Sequence, residues 1–383
     1  MHVLGRRSSD PAGPVGRLGR YRATDGSDGA PVHVDLDRPH TALVVGKRGY
    51  GKTYTLGVVA EAAARAPGVA PVVVDPMGAL AGLARPATSE AGSGDATTEA
   101  VPATVVDAPT VPAAAVPPSL WPDLLGLDPT DPPGALVWQA ASDAETLAGV
   151  RAAVADSDAP GGVRRAAENH LRLAASWDVF DPDGLDAAAL LGGEATVLDL
   201  SGLADAPASA VVAAVARALY RARTAAADGD GSPSTRLPWL FVDEAHAFFG
   251  GVASAALRRV VTRGRAPGVS LVAATQRPSA LPSVVRSQAD LLVAHRLTAA
   301  ADVEALAAAA PTYLDGALRE RLPEARGCAV VVDDATEAVH GVSVRERRTP
   351  HGGGSPRAGT AAVDRTSGTG DAADISRDNG LAR

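Results

Sequence analysis

The chain has 383 residues, 46% of them hydrophobic, enough for one large α/β core with appendages rather than several small domains. A single cysteine, Cys328, excludes a disulfide framework or a cysteine-only metal site within one chain, and its apolar setting, Gly327 to Val331, reads as a core strand. A formal net charge of −8 argues against a passive basic groove for nucleic acid, but not against a protein that encircles it.

Met1 to Gly29 is polar and rich in Gly and Pro, without the apolar stretch of a signal peptide, and is expected to be a disordered leader over residues 1–30. No run of ~18 apolar residues follows anywhere, so no membrane span is expected and a cytoplasmic location is compatible. Pro31–Leu36 alternates as a short edge strand. Ala42–Val45 is an apolar strand that runs into Gly46, Lys47, Arg48, Gly49, Tyr50, Gly51, Lys52 and Thr53. This is G-x-x-x-x-G-K-T, the phosphate-binding loop, placed after a strand and before the Ala-rich helix Lys52–Arg65 as its chemistry requires. The glycines let backbone N–H groups converge on phosphate, and the helix N-terminus adds its positive dipole end. Lys52 is positioned to reach the β- and γ-phosphates of ATP, and the Thr53 hydroxyl to ligate Mg²⁺. Lys47 and Lys52 are the only lysines; every other basic side chain is Arg.

Val69–Asp75 is a continuous apolar run that reads as a buried parallel strand, and Asp75 at its end is a further acidic candidate for the ligand crevice. Residues 86–98 read as a surface loop, Ala103–Val106 as a possible strand, and the Pro-rich Val116–Ala135 as an irregular excursion. Helical spacing over Asp143–Ala155 and Arg164–Ala175, with Gly184–Leu191, makes a small helical insertion at about 140–192. The α/β rhythm returns with strand Ala195–Leu200, helix Ala206–Ala227, a polar loop over 228–234 and strand Leu237–Val242.

That last strand ends in Asp243-Glu244-Ala245-His246. After a phosphate loop, Asp243 is placed to hold hydrated Mg²⁺ and Glu244 to polarise the attacking water, although an Asp-Glu pair can also simply cap a helix. His246 reads equally well as a water contact or a helix-start residue. Helix Ser254–Arg263 carries Arg258, Arg259 and Arg263 and leads to Arg265 on a Gly264–Gly268 loop. These arginines are either a solvated basic face or the source of an arginine finger, for which the tight loop favours Arg265. Strand Val269–Thr275 ends at Gln276, a neutral amide able to sense the γ-phosphate. Strand Asp290–His295, helix Ala300–Ala309 and a closing antiparallel pair, Gly327–Asp333 with Ala338–Val344, complete the core. Residues 351–383 have no periodicity and are expected to be a disordered tail.

Taken together, VVGKRGYGKT, VVVDPMGAL, TVLDLSGL, FVDEAHAFF, the Gly264-Arg265…Gly268 loop and AATQRPSALP resemble the HerA/FtsK superfamily, and HerA-like archaeal ATPases in particular, from about Val34 to His351. The resemblance implies a RecA-like P-loop NTPase core over 31–350, a mainly parallel sheet flanked by helices. It implies a homo-hexameric ring that hydrolyses ATP between subunits and translocates double-stranded DNA in DNA processing or repair. On this chain it makes Lys52 and Thr53 the nucleotide-loop residues, Asp243 the metal-side acid, Glu244 the catalytic acid, Gln276 the sensor and Arg265 the trans arginine. HerA proteins work with the nuclease NurA, docked through an N-terminal β-barrel. Fewer than about 45 residues precede the loop here, too few for that barrel, so the resemblance does not carry the nuclease partnership. Two other readings stand beside the motor: a coupling ATPase for DNA or protein transfer, and a non-motor NTP-dependent switch, which an intact Glu244 disfavours.

Overall fold

A computed structural model of the chain describes residues 2–85, 101–227, 236–309 and 318–352. The loops expected over 86–98 and 228–234 and the tail beyond Gly352 lie outside the described residues. In chain order the elements are strands β1 (His2–Leu4), β2 (Val15–Arg22), β3 (Asp28–Asp35) and β4 (Thr41–Val45), helix α1 (Lys52–Arg65), and strands β5 (Val69–Asp75) and β6 (Ala103–Val106). A helical stretch follows: α2 (Trp121–Leu124), α3 (Pro132–Ser142), α4 (Leu147–Asp156), α5 (Gly161–Ala175) and α6 (Ala187–Leu190). Then come β7 (Ala195–Asp199), α7 (Asp205–Ala227), β8 (Leu237–Val242), α8 (Ser254–Arg263), β9 (Ser270–Thr275), α9 (Ser283–Ser287), β10 (Leu291–Ala294), α10 (Ala300–Ala307), α11 (Leu318–Arg321), β11 (Cys328–Asp333) and β12 (Ala338–Val344).

The described strands form one 12-stranded sheet in the order β1-β3-β2-β12-β11-β10-β4-β9-β8-β5-β7-β6. From β10 to β6 every pairing is parallel. β11, β12 and β2 extend the sheet with antiparallel pairings. Every residue of β5 is buried because alternate side chains feed two layers: Val72 and Val74 pack with α7 and α8 on one face, Val73 with α1 on the other. The doubly covered parallel block puts the C-terminal ends of β4, β8 and β9 side by side, where an open α/β sheet holds its ligand.

The disordered leader is a correction. Residues 2–35 supply three strands, and Pro31–Leu36 is no edge: β3 lies between β1 and β2. The glycines that suggested disorder are close-approach positions. A Cβ on Gly19 would come 2.0 Å from the Ser343 carbonyl oxygen of β12, and one on Gly16 would come 2.6 Å from Ala62 of α1. Buried Leu4 and Leu18 and the buried Arg6–Asp35 ion pair anchor the segment.

The helical insertion is real but begins earlier than 140. Pro132 and Pro133 occupy the first turn of α3, where a missing N–H costs nothing, so prolines that read as irregularity start a helix. The insertion has its own core of Trp121, Leu136, Val137, Val150, Val154 and Leu171, which reaches Ala210 of α7.

Candidate nucleotide site

The phosphate loop joins β4, with β9 and β10 on its two sides, to α1. The N-terminus of α1 has Gly51 at its cap with φ 117°, no side-chain cap and no acid in its first turn, so its free N–H groups face the loop with nothing of their own to bond. Lys52 is 5% exposed, and its Nζ lies 3.4 Å from the Lys47 carbonyl oxygen. Burial pushes the Lys52 ammonium below its usual range, and the neighbouring Glu244 and Asp243 carboxylates oppose that shift. Lys47 donates its backbone N–H to Arg296 O at 2.7 Å and lays its ammonium over the Tyr50 ring, 4.5 Å from the centroid. These two loop residues therefore hold each other, while Arg48 points to the cleft below.

Thr53 Oγ1 donates to Asp243 Oδ2 at 2.8 Å, joining the helix start to the end of β8. Asp243 is 1% exposed, and burial raises its carboxyl pKa above the ordinary value against the Thr53 hydrogen bond. Glu244 has φ 44° and ψ 42°, a left-handed backbone that a glutamate rarely adopts. Its Oε2 is buried and makes no hydrogen bond, and burial raises this carboxyl as well, opposed by Lys52 and Arg48. His246 Nδ1 stands 3.4 Å from Glu244 Oε2 and 3.2 Å from Thr275 Oγ1, bridging the ends of β8 and β9. Arg48, Glu244, His246 and Gln276 line one cleft of about 420 Å³ together with Met77 and Asp205.

Two expected members stand elsewhere. Asp75 is fully buried, and its carboxylate accepts N–H groups from Met77 at 3.3 Å, Ala79 at 3.1 Å and Leu80 at 2.6 Å. It builds the turn after β5 and does not line the cleft. Arg265 is exposed on the turn entering the N-terminal end of β9. A six-residue strand of roughly 20 Å separates that end from Thr275, so Arg265 is remote from its own phosphate loop.

The residues fit Mg²⁺–ATP. Among the described residues no three His, Cys, Asp or Glu side chains gather as a metal cage. Thr53 with Asp243 is the partial oxygen set Mg²⁺ uses when phosphates and water supply its other ligands.

Sequence reasoning missed His295, just past β10. Its Nδ1 donates to Cys328 O at 2.8 Å and its Nε2 accepts from Thr55 Oγ1 at 2.9 Å, so the ring is a neutral wedge behind the loop. A Cβ on Gly46 would sit 2.6 Å from His295 Cβ, and one on Gly51 3.2 Å from its ring. Burial pulls His295 down to about 4. His40 goes the other way: burial opposes its charge, but Asp290 at 2.9 Å and Asp35 outweigh that and lift it to about 9. Between pH 6.5 and 4, unfolded His295 binds a proton that the folded one refuses, so stability falls with acid. Between pH 6.5 and 9, folded His40 keeps a proton that the unfolded one loses, so stability also falls with base. We expect denaturant midpoints to peak near pH 6.5, each histidine contributing up to about 3 kcal/mol along its limb. His295→Gln should flatten the acid limb and His40→Gln the alkaline one; stability that climbs steadily from pH 6.5 to 9 contradicts this assignment.

No family model matches the chain, and no curated protein matches it. Among solved structures it is similar to VirB4 of Thermoanaerobacter pseudethanolicus at 15% identity, covering 88% of this chain and 97% of that one with a TM-score of 0.60. It is also similar to the plasmid coupling protein TrwB in complex with ADP and Mg²⁺, at 15% identity over 89% of this chain and 98% of that one, TM-score 0.57. An unbound form of TrwB, described as a bacterial conjugative coupling protein, matches 91% of this chain and 93% of its own, at 15% identity and TM-score 0.56. At that identity the likeness is one of architecture, and the chain has the α/β fold of RecA-like P-loop NTPases, a mostly parallel sheet flanked by helices.

Proposed function

We propose that the chain is a Mg²⁺-dependent ATPase of the HerA/FtsK-like superfamily and drives double-stranded DNA through a homo-hexameric ring. The observation that carries this reading is the convergence, at the ends of β4, β8 and β9, of an uncapped helix start, buried Lys52, the Thr53–Asp243 pair and a left-handed Glu244 with a free carboxylate oxygen. Lys52 and the loop N–H groups would hold the β- and γ-phosphates, and Thr53 with Asp243 the metal, which supplies charge neutralisation at the phosphates when bound. Glu244 orients and deprotonates water, His246, itself held by Thr275, steadies it, and Gln276 faces the same cleft just past the end of β9. A left-handed backbone under a carboxylate oxygen that has no hydrogen-bond partner favours turnover over a passive switch. Arg265, distant from its own loop and exposed, is assigned to the nucleotide of a neighbouring copy.

A second reading, coupling of ATP hydrolysis to DNA transfer between cells, is favoured by the fold shared with the conjugative coupling protein TrwB.

ATP turnover on linear and covalently closed duplex over a salt series, with the mass of the assembly, tests the motor. Linear duplex should stimulate a ring-sized assembly, and a closed circle should not. Equal stimulation by both forms, collapsing at modest salt, points to an open electrostatic groove and overturns the ring.

A further inference from the structure

Away from the nucleotide cleft, α7 and α8 bring three arginines together. Arg217 and Arg221 are four residues apart on one face of α7, and Arg259 faces them from α8 with its guanidinium carbon 5.9 Å from the centroid of the Tyr220 ring. Like charges at this helical spacing repel. Arg217 is held below its ordinary proton affinity, by burial first and then by the charges of Arg221 and Arg259. Its Nε is buried and has no hydrogen-bond partner. Among the described residues no carboxylate pairs with any of the three. They line a depression of about 60 Å³ floored by Ala216, Ala255 and Ala256. That is room for a few waters, at ~10–15 Å³ each, or for the oxygens of one anion, but not for a base.

Arg217 is half-buried beside two exposed cations, with no carboxylate for any of them among the described residues, in a chain of net charge −8. An anion is the missing partner. A side-chain carboxylate presents its two oxygens in a single plane, whereas phosphate presents oxygens in several directions and suits several forks at once. Arg258, also on α8, lines the adjoining cleft of about 620 Å³ together with Asp123, so a fourth arginine stands beside the depression with one acid across from it.

We propose that Arg217, Arg221 and Arg259 form a contact site for the phosphodiester backbone of duplex DNA. This rests on the DNA reading above and supplies the phosphate contact that the charge balance of the chain left without a location.

Arg221 and Arg259 are exposed, so the double variant Arg221→Gln/Arg259→Gln should fold, while Arg217→Gln tests the half-buried member separately. Duplex binding is measured from 50 to 400 mM chloride, with a parallel series in inorganic phosphate at matched ionic strength. The double variant should reduce the slope of log K against log salt by roughly 0.9–1.8. DNA-independent ATP turnover should be unchanged, because neither residue touches the nucleotide cleft. Phosphate should compete beyond its ionic strength in the wild type and lose that advantage in the variants. An unchanged slope in a wild-type protein that does bind duplex overturns the site alone. An unchanged slope together with a smaller assembly makes the surface a contact between copies, and also overturns it. A wild-type protein that hydrolyses ATP and binds no duplex removes the DNA reading and this site with it.

Discussion

Glu244→Gln should bind ATP as tightly as the wild type and turn it over roughly 10²–10⁴-fold more slowly, the range that general acid–base catalysis contributes. Lys52→Ala should instead lose nucleotide binding. The two differ because of what each side chain faces. Lys52 is a buried cation beside the uncapped start of α1, and removing it leaves the phosphate charge without its compact counter-charge. Glu244 lines the cleft, and its buried Oε2 has no hydrogen-bond partner and stands 3.4 Å from His246 Nδ1, so the carboxylate is not tied up in a structural bond. Its raised pKa makes it a better proton acceptor than an exposed carboxylate, while Lys52 and Arg48 hold part of that rise in check. Glutamine preserves shape and the left-handed backbone, so the thermal midpoint of Glu244→Gln should match or slightly exceed the wild type. Nucleotide binding by fluorescence titration and single-turnover hydrolysis separate the outcomes. Full turnover in Glu244→Gln would take this residue out of the chemistry.

Glu61→Ala should destabilise the fold by about 3–5 kcal/mol without touching the cleft. Glu61 is fully buried on α1, the phosphate-loop helix, and serves as the socket for residues 345–349. Arg345 Nη1 reaches its carboxylate at 2.8 Å and Arg347 Nε lies 3.5 Å away. The backbone N–H groups of Arg348 and Thr349 and the Thr349 hydroxyl also donate to it. Burial works to raise this carboxyl, but the Thr349 and Arg345 contacts outweigh it and the net pKa is lowered. Its stabilisation is therefore present above the ordinary glutamate range and lost as pH falls through the depressed value. The alanine leaves two guanidiniums without their carboxylate and two backbone donors without an acceptor, which is why its cost exceeds that of a surface pair. Urea unfolding at neutral pH measures it, and a loss below about 1 kcal/mol would mean that the segment is only draped over α1.

The phosphate loop, the acids after β8 and most strand positions were legible because each is encoded within a dozen consecutive residues. Apolar runs such as Val69–Asp75 and a motif wedged between strand and helix need no distant partner to be read. Residues whose meaning depends on the far end of the chain were not. His295 looks like a strand-end polar residue until Gly46 and Gly51 are folded against it, and Glu61 looks like an ordinary helix acid until Arg345 arrives. The glycines of residues 2–35 misled for the same reason: their lack of a side chain answers to β12 and α1, not to their neighbours in sequence. Arg265 was correctly located on a tight turn, but which end of the strand that turn occupies is a property of the sheet.

The strand order also has a consequence for biosynthesis. Among the described strands, β1, β3 and β2 hydrogen-bond to the rest of the sheet only through β12, which lies far downstream of them in the chain. The first-made hairpin must therefore wait with an open edge while about three hundred residues are translated. An open edge is an invitation to pair with another chain. Pulse-labelled nascent chains halted before Ala338 should remain protease-sensitive across Val15–Asp35 even when the phosphate-loop half is already protected, and a trigger-factor-like holdase would find its binding site at the beginning of this chain.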